Sequence, residues 1–330
     1  MMSENVNKYI TILDTLDIGA DFEILFRQAG DGFLQVEYGY EQRLYVPDSF
    51  RMLAVNDLIK EKGIKGLIET VPGLRTNMFH FDPEVLSCKD LIEEIKDCER
   101  QFKSVESLKV KSRLIKLPIA FEDSETKKAV EKYLSQIRPD APNCDGGYNL
   151  EYIALCNGVS TAEAKDMILK TEWFNSGCGF WPGGGFFWPT DPRCALVVPK
   201  YNPPRTWTPE GAVGIGGPCV FTYTTPAGGG YQLFGRTIPT FQFSMKHPQF
   251  KGNPCLYRNA DRIQFFEVSE DEIKSIYEHV HEKHDYEYQV QDGEIIVKDY
   301  IEWLNSDKIK TETEAFKKRQ AEGLAAAPKL

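Results

Sequence analysis

The sequence predicts an α+β chain: a small ββαββα unit, then a closed β-barrel or sandwich, then C-terminal helices. Three observations carry that reading. Before residue 105, two paired runs of strand character are each followed by a helical run. From Trp173 to Val268 the helical period disappears and short β-rich runs alternate with Gly and Pro turns. Within that region, Trp181 to Arg236 is dense in Gly, Pro and aromatics and holds three of the five Trp. Such a stretch implies tight turns or close approach of the backbone to other groups.

Taken in order, Val6, Tyr9, Ile10, Leu13 and Leu16 fall at helical spacing and predict a lead-in helix over residues 1–21. EILFRQ and FLQVEYG, separated by Ala29-Gly30-Asp31-Gly32, read as a hairpin. Asp48 or Ser49 then caps a helix carrying Met52, Val55, Leu58 and Ile59, and Gly63 ends it. GLIETV and LRTNMFHF form a second hairpin turned at Pro72-Gly73. Ser87 with Asp90 opens a helix with Leu91, Ile95, Cys98 and Phe102 on one face. These elements predict a first domain over 22–110, with a polar linker over 103–112.

SRLIKLPIAF opens the second domain, expected over 111–268. A helix from Glu125 to Ile137 points Val130, Tyr133 and Leu134 inward and ends at RPDAP. NLEYIALCNG is a helix stopped at Asn157-Gly158, and Ser160 with Glu163 caps the next. The extension over 269–330 begins with a helix capped by Ser269 and Glu272. EYQV and EIIV then read as a hairpin turned at Asp292-Gly293, and the charged tail after Trp303 is expected to end loose.

Composition narrows the function. A net charge of −10 with no long basic run gives no support for a nucleic-acid surface. There is no signal-type leader and no apolar run of about 18 residues, so the expected location is the cytoplasm, with no membrane partner. The eight cysteines include no C-x-x-C pair, which favours buried free thiols over a zinc site; Cys178 and Cys219 lie beside Gly-rich turns. His279, His281 and His284 have spacing open to a metal, but the solvated end of a helix is the better reading, and no metal site is expected.

Gly214-Ile215-Gly216-Gly217 and Ala227-Gly228-Gly229-Gly230 have the composition of anion-cradling turns, although neither matches a P-loop or a dinucleotide fingerprint, and structural turns remain the simpler reading. Arg205 in YNPPRTW and Arg236 in LFGRT present planar forks suited to a carboxylate, and the turns that carry them, Tyr201 to Arg205 and Tyr231 to Arg236, are expected to close on one cationic hollow in the barrel's mouth. Lys200 adds a cation. Asp191, Glu210 and Asp261 are the carboxylates of the β-rich region that suit an N–H donor or a proton, with Asp261 better placed to shape a turn.

The runs SRLIKLPIAFEDSETKKAVEKYLSQIRPDAPNC, NLEYIALCNG, DPRCALVVPKYNPPRTWTPEGAVGIGG and GGYQLFGRT resemble the C-terminal half of the carboxyltransferase domain of urea carboxylase. That half belongs to the allophanate hydrolase subunit 1 family, which includes a 5-oxoprolinase subunit and a sporulation kinase inhibitor. The resemblance runs from Phe22 into the tail, where KDYIEWLNSDKIKTETEAFKKRQAEG is similar to the segment preceding the biotin carrier. It implies a ferredoxin-like domain followed by a cyclophilin-like barrel, and carboxyl transfer from carboxybiotin to a urea or amide. On that basis Arg205, Arg236 and Glu210 are the expected catalytic residues, and Lys200, Asn202, Tyr231, Gly217 and Asp191 the expected substrate-binding ones. No ATP-grasp region, Met-Lys-Met biotin acceptor or companion barrel is found. The resemblance therefore implies a stand-alone subunit that binds no cofactor tightly itself and works with a companion of the subunit 2 kind, a biotin carboxylase and a biotin carrier. Where urea carboxylases have a GLGDVYLGAP-like loop, GCGFWPGGGFFWP resembles the GFxPGFPYL signature of separate subunits, which implies a different substrate. An ATP-dependent amidohydrolase subunit and a non-catalytic regulatory module are the alternative implications.

Overall fold

The structure, a computed structural model, describes residues 11–19, 23–38, 46–102 and 104–330. It divides into two compact units, Met1–Lys111 with Glu294–Glu302, and Ser112–Gly293 with Trp303–Leu330.

In the first unit, β1 (Ile12–Asp17), β2 (Glu23–Gln28), β3 (Phe33–Tyr38), β4 (Leu67–Pro72) and β5 (Thr76–Phe81) form an antiparallel sheet in the order β1-β2-β3-β5-β4. Helix α1 (Val46–Lys62) links the two hairpins, and α2 (Cys88–Glu99) follows the second. Ser87 caps α2 by accepting from the Asp90 N–H, as its sequence implies. The expected lead-in helix is replaced over Leu13 and Leu16 by strand β1, which pairs with β2; Val6, Tyr9 and Ile10 lie outside the described residues. Under the sheet, the buried Glu99 carboxylate accepts from Tyr38 Oη and from Arg51 Nε at 2.8 Å. Burial raises its pKa and Arg51 opposes that. Strand β6 (Lys109–Lys111) closes this part of the chain.

The second unit is a closed barrel. Its strands are β7 (Leu114–Phe121), β8 (Trp173–Cys178), β9 (Gly185–Pro189), β11 (Ala212–Gly216), β12 (Cys219–Thr222), β14 (Gln232–Thr237) and β15 (Arg262–Glu267), whereas β10 (Arg205–Thr208) and β13 (Ala227–Gly229) pair separately. The order β14-β11-β12-β9-β8-β15-β7 closes where Ile119 to Phe121 pair with Thr237 to Gly235. Alternation along each strand fills the interior with Leu117, Phe187, Val213, Ile215, Val220, Phe234 and Ile263. Helices α4 (Leu150–Cys156) and α5 (Thr161–Lys170) add Ile153 and Ile168 to the same core. Between β7 and α4 lies α3 (Ser124–Gln136), capped by Asp123, which accepts from the Glu125 and Thr126 N–H groups. Asp123→Ala is expected to cost about 1 kcal/mol in thermal unfolding through loss of that cap.

Helix α6 (Glu270–Glu278) carries the full capping box read from Ser269 and Glu272. The expected terminal hairpin is not formed: β16 (Gln289–Gln291) pairs with β7, and β17 (Glu294–Ile296) pairs with β6 of the first unit. Helix α7 (Val297–Asn305) leads to α8 (Asp307–Ala326), and the end is not loose. Gly323 lies against the α4 carbonyls of Leu155 and Cys156, where a Cβ would approach within 2.6 and 2.9 Å, and Tyr152 Oη donates to the Pro328 carbonyl at 2.8 Å. Among the described residues no helix is long and apolar enough to cross a membrane.

Candidate functional site

The glycine-rich stretch builds a cleft on the barrel's outer wall. Along β11, Val213 and Ile215 face inward, so Ala212, Gly214 and Gly216 face out. Over the missing side chains lies Tyr231: a Cβ on Gly216 would come within 2.5 Å of its ring. Gly184 makes the same room for Phe221 at 2.6 Å, and Gly229 for the Tyr223 hydroxyl at 2.2 Å. The glycines thus seat aromatic rings directly on backbone. Phe180, Phe186, Phe221 and Tyr223 follow one another with centroids 5.8, 5.6 and 5.3 Å apart, and Tyr231 joins Phe221 at 6.3 Å.

Opposite this wall stands the β10–β13 flap. Tyr201 N–H donates to the Gly230 carbonyl at 2.7 Å, and Tyr133 Oη to the Pro203 carbonyl at 2.9 Å. Trp181 is fixed by its Nε1 donating to Thr225 Oγ1 at 2.7 Å. Together these elements enclose about 300 Å³, in the range of small-ligand pockets. Lys200 is the one charged residue in the lining; its Nζ stands 5.1 Å from the Tyr231 ring centroid.

Arg205 lies behind the same end of the wall, only 2% exposed. Its Nη1 donates to the Tyr231 carbonyl at 2.6 Å, Nε and Nη2 to Thr208 Oγ1 at 3.3 and 3.2 Å, and Nη2 to Tyr223 Oη at 3.4 Å. The guanidinium also stacks 4.4 Å from the Tyr201 ring centroid. Among the described residues no ion pair joins Arg205 or Lys200 to a carboxylate. Two cations without counter-ions at one end of a largely apolar cleft create a field that favours an anion.

The other expected site residues are placed elsewhere, and the two arginines do not share one hollow, because strand register sets Arg236 opposite Ala212 rather than beside Tyr231. Arg236 sits near the far end of β14 from Tyr231, its Nε donating to the Glu210 carbonyl at 2.9 Å and its guanidinium 4.0 Å from the Tyr277 centroid. The Glu210 carboxylate meets His281 Nε2 at 3.1 Å. Asp191 holds Arg193, with Nη2 at 2.7 Å, and caps the turn after it. Asn202 is exposed, its carbonyl accepting from Arg138 Nη1 at 3.1 Å. Gly217, at φ +59°, exchanges backbone bonds with Val198. Asp261 shapes the turn before β15 as expected, accepting from Arg113 Nε at 2.8 Å and the Arg258 N–H at 2.7 Å. Sequence reasoning missed Phe186, Phe221 and Tyr223. The available signal for two of them was Gly184 and Gly229, whose missing side chains leave room for the Phe221 ring and the Tyr223 hydroxyl.

Among the described residues no group of side chains is set to hold a metal. His279 pairs with Asp285 at 2.7 Å and His284 with the Val280 carbonyl at 2.9 Å. The Glu210 carboxylate raises the His281 pKa, against burial and Arg236. The pair's contribution is therefore complete below the unfolded value of about 6.5 and lost as pH rises through the raised folded value. His281→Ala is expected to cost about 0.5 kcal/mol at low pH and less at high pH, the pair being half-exposed. Glu210→Gln should lower the His281 pKa in an NMR titration, because burial and Arg236 then lose their main opponent. Burial pushes the Cys178 thiol up to about 11 and Cys219 up to about 12. Both should resist alkylation in the native protein at neutral pH and react after unfolding, as read by mass spectrometry.

The family "Carboxyltransferase domain, subdomain C and D" matches residues 24–251. The chain is similar to urea amidolyase of Saccharomyces cerevisiae, 33% identical over 87% of this chain and 15% of that protein. It is also similar to a 5-oxoprolinase subunit of Bacillus subtilis, 26% identical over 74% of this chain and 92% of that one. The crystal structure of Kluyveromyces lactis urea carboxylase superposes with a TM-score of 0.83 at 29% identity, covering 97% of this chain and 29% of that one. This chain therefore spans only a minor part of the urea amidolyases it matches. On the matched residues and the shared fold, the chain belongs to the carboxyltransferase-domain family, subdomains C and D.

Proposed function

We propose that the cleft between the β10–β13 flap and the barrel wall holds a carboxyl group during its transfer to a urea- or amide-like acceptor, with the chain acting in a complex that includes a companion of the subunit 2 kind. The observation that carries this reading is the unmatched charge. Arg205 is buried without a carboxylate partner among the described residues, and Lys200 is the one charge in the lining. A desolvated cation is costly unless an anion compensates it, so the arrangement suits a carboxylate in transit. Lys200 attracts and orients the anion, and Arg205 supplies fixed positive potential. Biotin on a partner carrier would supply the activated carboxyl group, which this chain's residues bind, orient and shield from water. The likeness covering 92% of a 5-oxoprolinase subunit supports the reading as part of a complex, and it favours amidohydrolysis as the second reading.

The test uses the complex co-purified from the native cell. Lys200 is exposed, so Lys200→Ala should fold normally. It is expected to lower labelled-carboxyl transfer about tenfold, with Lys200→Arg retaining most of the activity. Unchanged transfer in Lys200→Ala would remove the cleft from the reaction. Lactam hydrolysis without carboxyl transfer would favour the second reading.

A further inference from the structure

The cleft is polarised along its length. At one end lie Lys200, Tyr231 and, behind them, Arg205. At the other, Phe180 is 77% exposed and leads through Phe186 to Phe221 as a continuous aromatic wall. The lining contains no carboxylate, side-chain amide or histidine. Its other polar side-chain groups each have a partner within the protein: Tyr223 Oη accepts from Arg205, the Tyr231 hydroxyl meets the Cys219 thiol, and Trp181 Nε1 donates to Thr225. A urea molecule brings four N–H donors and a single carbonyl, and the lining offers those donors no carboxylate or amide oxygen, only tyrosine hydroxyls and the backbone of residues 227–230, so a urea matches the cleft poorly. A ligand matched to this cleft has the opposite character: an anionic head for the cationic end and a flat apolar body for the ring wall.

We infer that the cleft binds an amphipathic organic carboxylate whose body is an aromatic or similarly flat ring, with the carboxylate at Lys200 and the ring along Phe186 and Phe221. This rests on reading the cleft as the anion-handling site, and it does not depend on the transfer reaction. A urea or amide acceptor would then find its carboxylate or amide hydrogen-bond partners outside this lining. Phe180 and Trp181 belong to the GCGFWPGGGFFWP loop, which makes that loop the determinant of which ring fits.

Calorimetric titration of the full chain tests the inference with benzoate, acetate, benzamide and urea as probes. Benzoate is expected to bind at least about tenfold more tightly than acetate, which lacks the ring, or benzamide, which lacks the charge, a factor worth about 1.4 kcal/mol each. Urea should show no binding at the same concentrations. Lys200→Ala and Phe180→Ala, both at exposed positions, should each weaken benzoate severalfold. Acetate binding as tightly as benzoate, with both weakened by Lys200→Ala, overturns the inference and leaves the carboxyl-handling reading standing. Benzamide matching benzoate with no response to Lys200→Ala overturns both. Urea binding while benzoate is silent, or silence of all four, overturns the inference.

Discussion

Arg205→Met is expected to leave a folded chain that is less stable by about 2 kcal/mol and slower in carboxyl transfer by about 10²- to 10³-fold. The two effects have different origins. Thr208 and Tyr223 offer hydroxyls that can turn to other partners, but the part-buried Tyr231 carbonyl loses its 2.6 Å donor. Removing a desolvated cation partly offsets that loss, which keeps the stability cost moderate. Nothing offsets the loss of positive potential in the cleft. Arg205→Lys separates the terms, since it keeps the charge and loses the fork that spans Tyr231 and Thr208. It should recover part of the transfer rate while remaining destabilised. Urea unfolding with an unchanged slope, beside a transfer assay, reads both quantities. Full transfer activity in Arg205→Met would show that the buried guanidinium is structural alone.

Gly211→Ala is expected to destabilise by about 3 kcal/mol, the larger stability effect. Gly211 has φ +78°, a conformation that alanine adopts only at a cost. A Cβ there would also lie 2.0 Å from Tyr277 Oη and 2.4 Å from the Thr237 carbonyl. The second contact is with backbone and cannot rotate away. Because the Gly211 N–H donates to the Tyr223 carbonyl at 2.6 Å, the forced shift reaches the strand end that carries a cleft ring. Tyr277→Phe in the same chain removes one of the two clashes and should recover part of the loss, as a double-mutant cycle would measure. Additive losses in that cycle would place the strain at Thr237 alone.

What was legible in the sequence was local. The caps at Ser87 and Ser269 and the turn at Ala29 to Gly32 depend on residues a few positions apart, and the structure forms them where the pattern puts them. Partner choice was not legible. The strands beside Asp292-Gly293 have hairpin composition, yet β16 pairs with Leu114 to Lys116 and β17 with Lys109 to Lys111, contacts that no local signal encodes. The i, i+3 pair Leu13 and Leu16 likewise mimics a helix, while pairing with β2 makes the segment a strand.

The site divides along the same line. Lys200, Tyr231 and Arg205 converge because Tyr201 pairs with Gly230 and Arg205 with Gly229, joining two neighbouring loops. Arg236 is separated from them by the length of β14, since its partner across the sheet is Ala212, at the opposite end of β11 from Gly216. The sequence shows two arginines flanked by Pro or Gly. Only register shows that one backs the cleft and the other braces Glu210 and Tyr277.

The most direct measurement is a crystal structure of the chain grown with carbonate at millimolar concentration. The account predicts density for the anion in the cleft, within hydrogen-bonding distance, about 3 Å, of Lys200 Nζ. Anion density beside Arg236 and His281, with the cleft filled by solvent or by its own side chains, would contradict it.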